Sequence, residues 1–307
     1  MTISYKAVVK PTDLFSKSVP QGKIAQIFHF PLARFVVIAL FLAPVIALNA
    51  FVVLKVIEQL GEPLATNIDI VRMLITIPLL LLGYAWYCRV FEKRKALEIS
   101  LPGAGREWGA GFLVAASLVV LLVAFISVFG SFDILEYRPL GTLLTNFLTF
   151  GMGALLQDLI LLCVLYRLVE ELAGTWVALV ASLLIFGLVH AGNPNQTPVS
   201  MTFLVFSSII LVAPFILTRR LWLSWGFHVG WNFMQAGVFG MANSGIMFPG
   251  WMVSSVGGPD WLTGGAIGLE GSYLSIGFDL AIGLLLFSAA MKAGNIVKPR
   301  WKRGQRQ

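Results

Sequence analysis

Residues 109–130 read GAGFLVAASLVVLLVAFISVFG, 22 residues without a charged side chain. Coiled as an α-helix, this stretch is about 33 Å long, close to the thickness of a bilayer's hydrocarbon core. It is read as a membrane-spanning helix, the form in which all backbone groups are satisfied inside the segment. Working outward, comparable runs cover 34–54, 71–91, 143–168, 176–191, 199–218, 221–241 and 272–293. These make about eight transmembrane helices, the fifth short enough to need its ends buried among neighbours. The expected fold class is all-α, a polytopic membrane helix bundle.

Composition supports the same reading. Of 307 residues, 58% are hydrophobic and 12% charged, whereas a soluble domain carries about 25% charged residues. Mean hydropathy is +0.85. The net charge of +7 sits at the ends and in short loops, with Lys6, Lys10, Lys17, Lys23 and Arg34 at the start and Lys298, Arg300, Lys302, Arg303 and Arg306 at the finish. A nucleic-acid groove needs basic residues interleaved with aromatics on one folded face, so nucleic acid is not an expected partner. The lipid bilayer is, and the tail suits anionic headgroups.

An even number of spans puts both basic termini on one side, the cytoplasm of a multi-pass inner (plasma) membrane protein. Lys93, Arg94, Lys95, Arg167, Arg219 and Arg220 then fall inside. Glu58, Glu62, Asp69, Asp133, Glu136, Asp260 and Glu270 fall outside. The chain divides into an N-terminal segment (1–33), a membrane domain (34–293) and a basic tail (294–307). Arg34 to Lys55 is too long for a signal-peptide core, and no small-residue cleavage site comes after it. The segment Glu92–Leu101 mixes charges with Leu97, Ile99 and Leu101, and is expected along the cytoplasmic surface or as a solvated loop. Cys88 and Cys163 lie inside apolar runs and are read as buried membrane thiols.

Polar side chains inside such spans are candidates for function, because an unsatisfied one in hydrocarbon costs several kcal/mol. Three clusters stand out. The seventh span places Ser224, His228, Asn232 and Gln235 on one helical face. The fifth ends Phe186-Gly187-Leu188-Val189-His190, with Asn193, Pro194 and Asn195 just beyond. The fourth carries Asn146, Thr149, Gln157 and Asp158. Interhelical hydrogen bonding, worth about 0.6 kcal/mol each on average, accounts for one such stripe. Three stripes holding two histidines and an acid point to a shared site.

The fourth and fifth spans form an antiparallel hairpin around Ala173-Gly174-Thr175, and His190 and Asp158 each lie 16 residues from Gly174. Gln157 and Asp158 thus stand level with His190. Glu170 and Glu171 lie beside the turn, about 20 Å of helix away from His190, and are read as charges at the cytoplasmic end. By helical rise His228 is shallower, about 12 Å beyond Arg220, and becomes level only if the Arg167–Glu171 turn projects from the membrane.

These residues resemble the CAAX-protease and bacteriocin-processing family of intramembrane peptidases, whose pattern is Glu-Glu-x-x-x-Arg, Phe-x-x-x-His and His-x-x-x-Asn on three membrane helices. Phe186 to His190 matches the second motif and His228 to Asn232 the third. The similarity continues through Tyr166–Glu171, Gly174–Trp176, Leu221-Trp222 and Thr263-Gly264-Gly265…Glu270-Gly271-Ser272, covering about 150 to 275. The first motif departs, with Gln157-Asp158 where the Glu pair belongs and Leu162 where the Arg belongs. In the family the first Glu is thought to activate water, and an amide cannot take up that proton.

The resemblance implies a site of Asp158, His190, His228 and Asn232 in the catalytic positions, with Gln157, Asn193, Ser224 and Gln235 contacting substrate. The lost glutamates and Arg favour a pseudo-peptidase that binds membrane-embedded or membrane-associated peptides or partner proteins. The alternative is an active endopeptidase in which Asp158 replaces the missing Glu. A transporter, suggested by Asp158 and Asp279 in spans, is a second alternative. No cofactor is expected. A metal at Asp158, His190 and His228 is a further alternative, against which the chain has no His-Glu-x-x-His.

Overall fold

The computed structural model of the chain describes residues 9–55, 64–129 and 132–303. Of the charges that set the expected topology, Lys6, Glu58, Glu62 and Arg306 lie outside the described residues. A short helix α1 (Lys23–Phe28) leads into α2 (Pro31–Lys55), α3 (Leu64–Val90) and α4 (Ala104–Val128). Strand β1 (Phe132–Tyr137) precedes a long rod made of α5 (Gly141–Asp158), a π-wound stretch (Leu159–Tyr166) and α6 (Arg167–Ala173). Next come α7 (Thr175–Val189), α8 (Pro198–Ser207), α9 (Ile209–Thr218) and α10 (Trp222–Asn232), the last running into a second π stretch (Phe233–Val238). Strand β2 (Met252–Val256), the single turn α11 (Asp260–Thr263) and α12 (Tyr273–Lys292) complete the described chain.

The protein is a polytopic helical membrane protein. Among the described residues, six helical segments are long and apolar enough to cross a bilayer: 31–48, 70–90, 104–128, 141–173, 198–218 and 273–292. The other two expected spans are shorter. Helix α7 has 15 residues, and α10 has 11 before its winding changes.

Helix α9 is apolar on every side, and all ten of its residues are buried, as expected for the axial helix of a bundle. It packs against α7, α10 and α12. The most extensive helix–helix contact is that of α4 with α10, and glycine explains it. A Cβ at Gly226 would lie 2.0 Å from the Trp108 carbonyl oxygen, and one at Gly111 would lie 2.2 Å from that of Leu223. Gly226 and Gly230, one turn apart, let the two backbones touch, as small residues do at membrane helix interfaces.

The bundle is helical as expected, with one small addition in its connecting loops: β1 and β2 pair antiparallel from Phe132↔Val256 to Tyr137↔Met252. Phe132–Tyr137 is too short and polar to extend a span, and pairing satisfies its backbone instead. The structure corrects the reading of Glu92–Leu101 as a solvated or surface segment in part, since Lys93, Lys95 and Leu101 are exposed but Glu92, Arg94 and Glu98 are buried. They enter the bundle because each is paired: Arg34 meets Glu92 at 2.7 Å, Arg167 meets it at 3.0 Å, and Arg94 bridges Glu92 (2.7 Å) and Glu98 (2.8 Å). At the same end, Glu170 pairs with Arg219 and Glu171 with Arg34, at 2.5 and 2.6 Å. Residues 9–34, the 91–101 segment, the α6–α7 turn and the 295–303 tail all meet in this network, so the two chain ends share one end of the bundle.

Candidate functional site

Toward the opposite end, the three polar clusters open on one cavity of about 620 Å³. Helix α5 contributes Gln157, α7 presents His190 at its C-terminal cap, and α10 supplies His228 and Asn232. Asn193, Asn243, Ser244 and Glu270 reach it from the connecting loops. Phe35, Ile160, Leu165, Ile210 and Leu211 form an apolar extension of the same space. Each change to π winding falls immediately after a polar site residue, Asp158 in one rod and Asn232 in the other. A π turn inserts a residue and re-aims the side chains beyond it, and such bulges recur at functional sites.

His228 Nδ1 lies 3.0 Å from Asp158 Oδ1. An ionised carboxylate only accepts, so Nδ1 donates and the lone pair is left on Nε2. His190 is oriented in the same sense, its Nδ1 donating to the Phe186 carbonyl at 2.7 Å. The Phe186 ring sits between the two imidazoles, with centroids 4.7 Å from His190 and 6.1 Å from His228. Helical rise alone sets His228 too shallow; the direct Asp158 contact shows the two residues level.

Asp158 itself is wholly buried and does not line the cavity, and its Oδ2 has no hydrogen-bond partner among the described residues. Gln157, beside it, is the side chain exposed to the cavity. Leu162, at the position of the family's Arg, is fully buried in the apolar core.

The remaining expected residues divide. Asn193 lines the cavity and donates to the Ser244 carbonyl at 3.0 Å. Ser224 is fully buried away from it, with its hydroxyl unpartnered among the described residues. Gln235 is also off the cavity wall, donating to Glu270 Oε2 at 2.7 Å and to the Ala242 carbonyl.

Glu270, read in the sequence as an outer-loop charge, is not solvated: its loop folds back so that it lines the cavity wall, only 7% exposed. Asn243 Nδ2 donates both to Glu270 Oε1 (3.0 Å) and to Asn232 Oδ1 (2.9 Å), so the loop acid is linked to the His-x-x-x-Asn motif. The approach depends on Gly268 at φ +96°, where a Cβ would stand 2.0 Å from the Ala242 carbonyl oxygen. Burial raises the Glu270 carboxyl above its ordinary range, only partly offset by the Gln235 hydrogen bond. The sequence carried one signal for this, the glycine-rich Thr263–Ser272 stretch within the family resemblance. Asp279 of α12 also reaches the cavity, and its Oδ1 is unpartnered among the described residues.

Among the described residues, no three His, Cys, Asp or Glu side chains are grouped as metal ligands. Asp158 is turned to His228 Nδ1, so it does not join the two histidines in a ligand set.

Fold and site together define a polytopic helical membrane protein with a site of imidazole, carboxyl and amide groups inside its bundle. Residues 139–234 match the family model for type II CAAX prenyl endopeptidase, Rce1-like. Over these residues the chain is similar to that CAAX-protease family, the one its motifs resemble. None of the curated proteins and none of the solved structures compared with it gives a significant match.

Proposed function

We propose that the protein is a pseudo-peptidase, which takes a membrane-embedded or membrane-associated peptide or partner segment into the cavity and holds it without cutting. The observation that carries this reading is the orientation of the Gln157-Asp158 pair. The side chain facing the cavity is an amide, which cannot act as general base, and the neighbouring carboxylate is turned away and buried against His228. The apolar extension suits a greasy chain or helix, while Gln157, Asn232 and the two imidazole Nε2 atoms suit polar groups of a peptide backbone. A prenyl group on the ligand is the family's contribution to this reading.

A second reading rests on one specific contact. With Asp158 holding Nδ1–H, His228 Nε2 is free to accept a proton from water. That makes an endopeptidase in which His228 is the base and Asp158 the residue that orients it.

Both termini are proposed to face the cytoplasm of an inner (plasma) membrane, with 34–293 as one membrane domain, because the shared terminal end carries the basic residues.

The test is equilibrium binding of fluorescent peptides, prenylated and plain, to purified protein in nanodiscs. His190→Ala and Asn232→Ala are each expected to weaken binding roughly tenfold, the loss of about 1.4 kcal/mol. Unchanged affinity in both would contradict the assignment of the cavity as the binding site.

A further inference from the structure

A second cleft, of about 1020 Å³, lies at the terminal end between α3, the 91–101 segment and the N-terminal stretch around Lys17. It is separate from the cavity described above and independent of its function. Its floor is a stripe of α3. Pro78, Leu82, Ala85 and Arg89 fall at helical spacing on one face, so apolar surface leads to a cation where the span ends. Above the stripe stand Lys17, Lys93 and Lys95, all exposed. Among the described residues, these three and Arg89 make no ion pair. The one acid lining the cleft, Asp13, already accepts from the Lys10 backbone at 3.1 Å.

The backbone also aims this cluster. Lys93 sits at φ +55°, a left-handed conformation that a non-glycine residue seldom takes. It is held there by its buried neighbours Glu92 and Arg94, so the turn projects Lys93 and Lys95 outward while the acids go in.

We propose that this cleft binds an anionic phospholipid, with its phosphate among Lys17, Arg89, Lys93 and Lys95 and an acyl chain along Pro78 and Leu82. Charge complementarity at a defined depth selects this ligand. Four uncompensated cations at the end of a span meet the phosphate level of a bilayer, and the apolar stripe below them continues into the hydrocarbon level. A soluble phosphate would satisfy the cations and leave the stripe bare.

The experiment is lipid titration of the full-length protein in neutral detergent, read by native mass spectrometry. The probes are phosphatidylglycerol, phosphatidylcholine and glycerol 3-phosphate. Phosphatidylglycerol is expected to bind at least about tenfold tighter than phosphatidylcholine, and equimolar glycerol 3-phosphate is not expected to displace it. The triple variant Lys17→Gln/Lys93→Gln/Lys95→Gln should weaken phosphatidylglycerol roughly a hundredfold. Lys298→Gln/Lys302→Gln, which removes tail charge elsewhere, should change it less than about threefold. The substituted lysines are exposed and unpaired, and an unchanged melting curve verifies the fold. A loss below about tenfold in the triple variant overturns the proposal, as does equal binding of the neutral lipid or displacement by glycerol 3-phosphate.

Discussion

His228 Nδ1 and Asp158 Oδ1 stand 3.0 Å apart, although 70 residues separate them in sequence. The contact ties the α5 rod to α10, chooses the imidazole tautomer and takes the Asp158 carboxylate away from the cavity. An Asn at 158 can still accept from Nδ1. Asp158→Asn is therefore expected to keep peptide affinity within about threefold. Asp158→Ala leaves a buried donor unsatisfied and should cost about 1–3 kcal/mol of stability, with weaker binding. Chemical unfolding in detergent together with the fluorescent-peptide titration checks both; equal behaviour of the two variants would show that the hydrogen bond does not matter.

Glu92 and Glu270 are buried acids with opposite pH signatures. Burial alone would raise Glu92, but the guanidinium groups of Arg167, Arg94 and Arg34 outweigh it and hold the carboxyl at about 2. Its folded pKa is depressed, so its stabilisation is complete above the ordinary carboxylate value of about 4.5 and disappears as pH falls toward about 2. Glu270 is shifted upward by burial. Its contribution is complete below the ordinary carboxylate range and fades as pH rises through its raised value. Glu92→Gln should cost about 3–5 kcal/mol at neutral pH, the range for breaking a buried ion pair, and remove the acid-side slope. Glu270→Gln should flatten the slope that begins above the ordinary carboxylate range. Melting curves taken across pH test both signs.

Glycine contact between α4 and α10 gives a paired prediction. Gly111→Ala drives a methyl group into the Leu223 carbonyl, while a methyl group added at Gly109 would meet nothing within 4 Å. The first is expected to lose about 1–3 kcal/mol through overpacking. The second should gain up to about 1 kcal/mol, because Ala is the better helix former. Similar melting temperatures for the two variants would argue against the close approach of the helices.

The membrane bundle was legible in long apolar runs such as 109–130, since hydropathy reports directly on the solvent around a helix. The approach of Gln157 to His190 was legible from the α6–α7 turn, whereas helical rise set His228 too shallow to join them unless that turn projected from the membrane. Three features were not legible. Glu92, Arg94 and Glu98 look solvated in sequence because their partners Arg34 and Arg167 are remote along the chain. Glu270 looks like an outer-loop charge because nothing local announces that Gly268 lets the loop fold inward. Asp158 and Gln157 are neighbours, and periodicity separates their directions without saying which one faces the cavity; packing against α10 decides that.

That the site binds without cutting is tested most directly by incubating purified wild-type protein in nanodiscs with prenylated and plain peptides and identifying the products by mass spectrometry. Intact peptide is expected at concentrations that saturate binding. Cleavage by the wild type that disappears in both His228→Ala and Asp158→Asn would contradict a binding-only site and establish the His228–Asp158 pair as the working base.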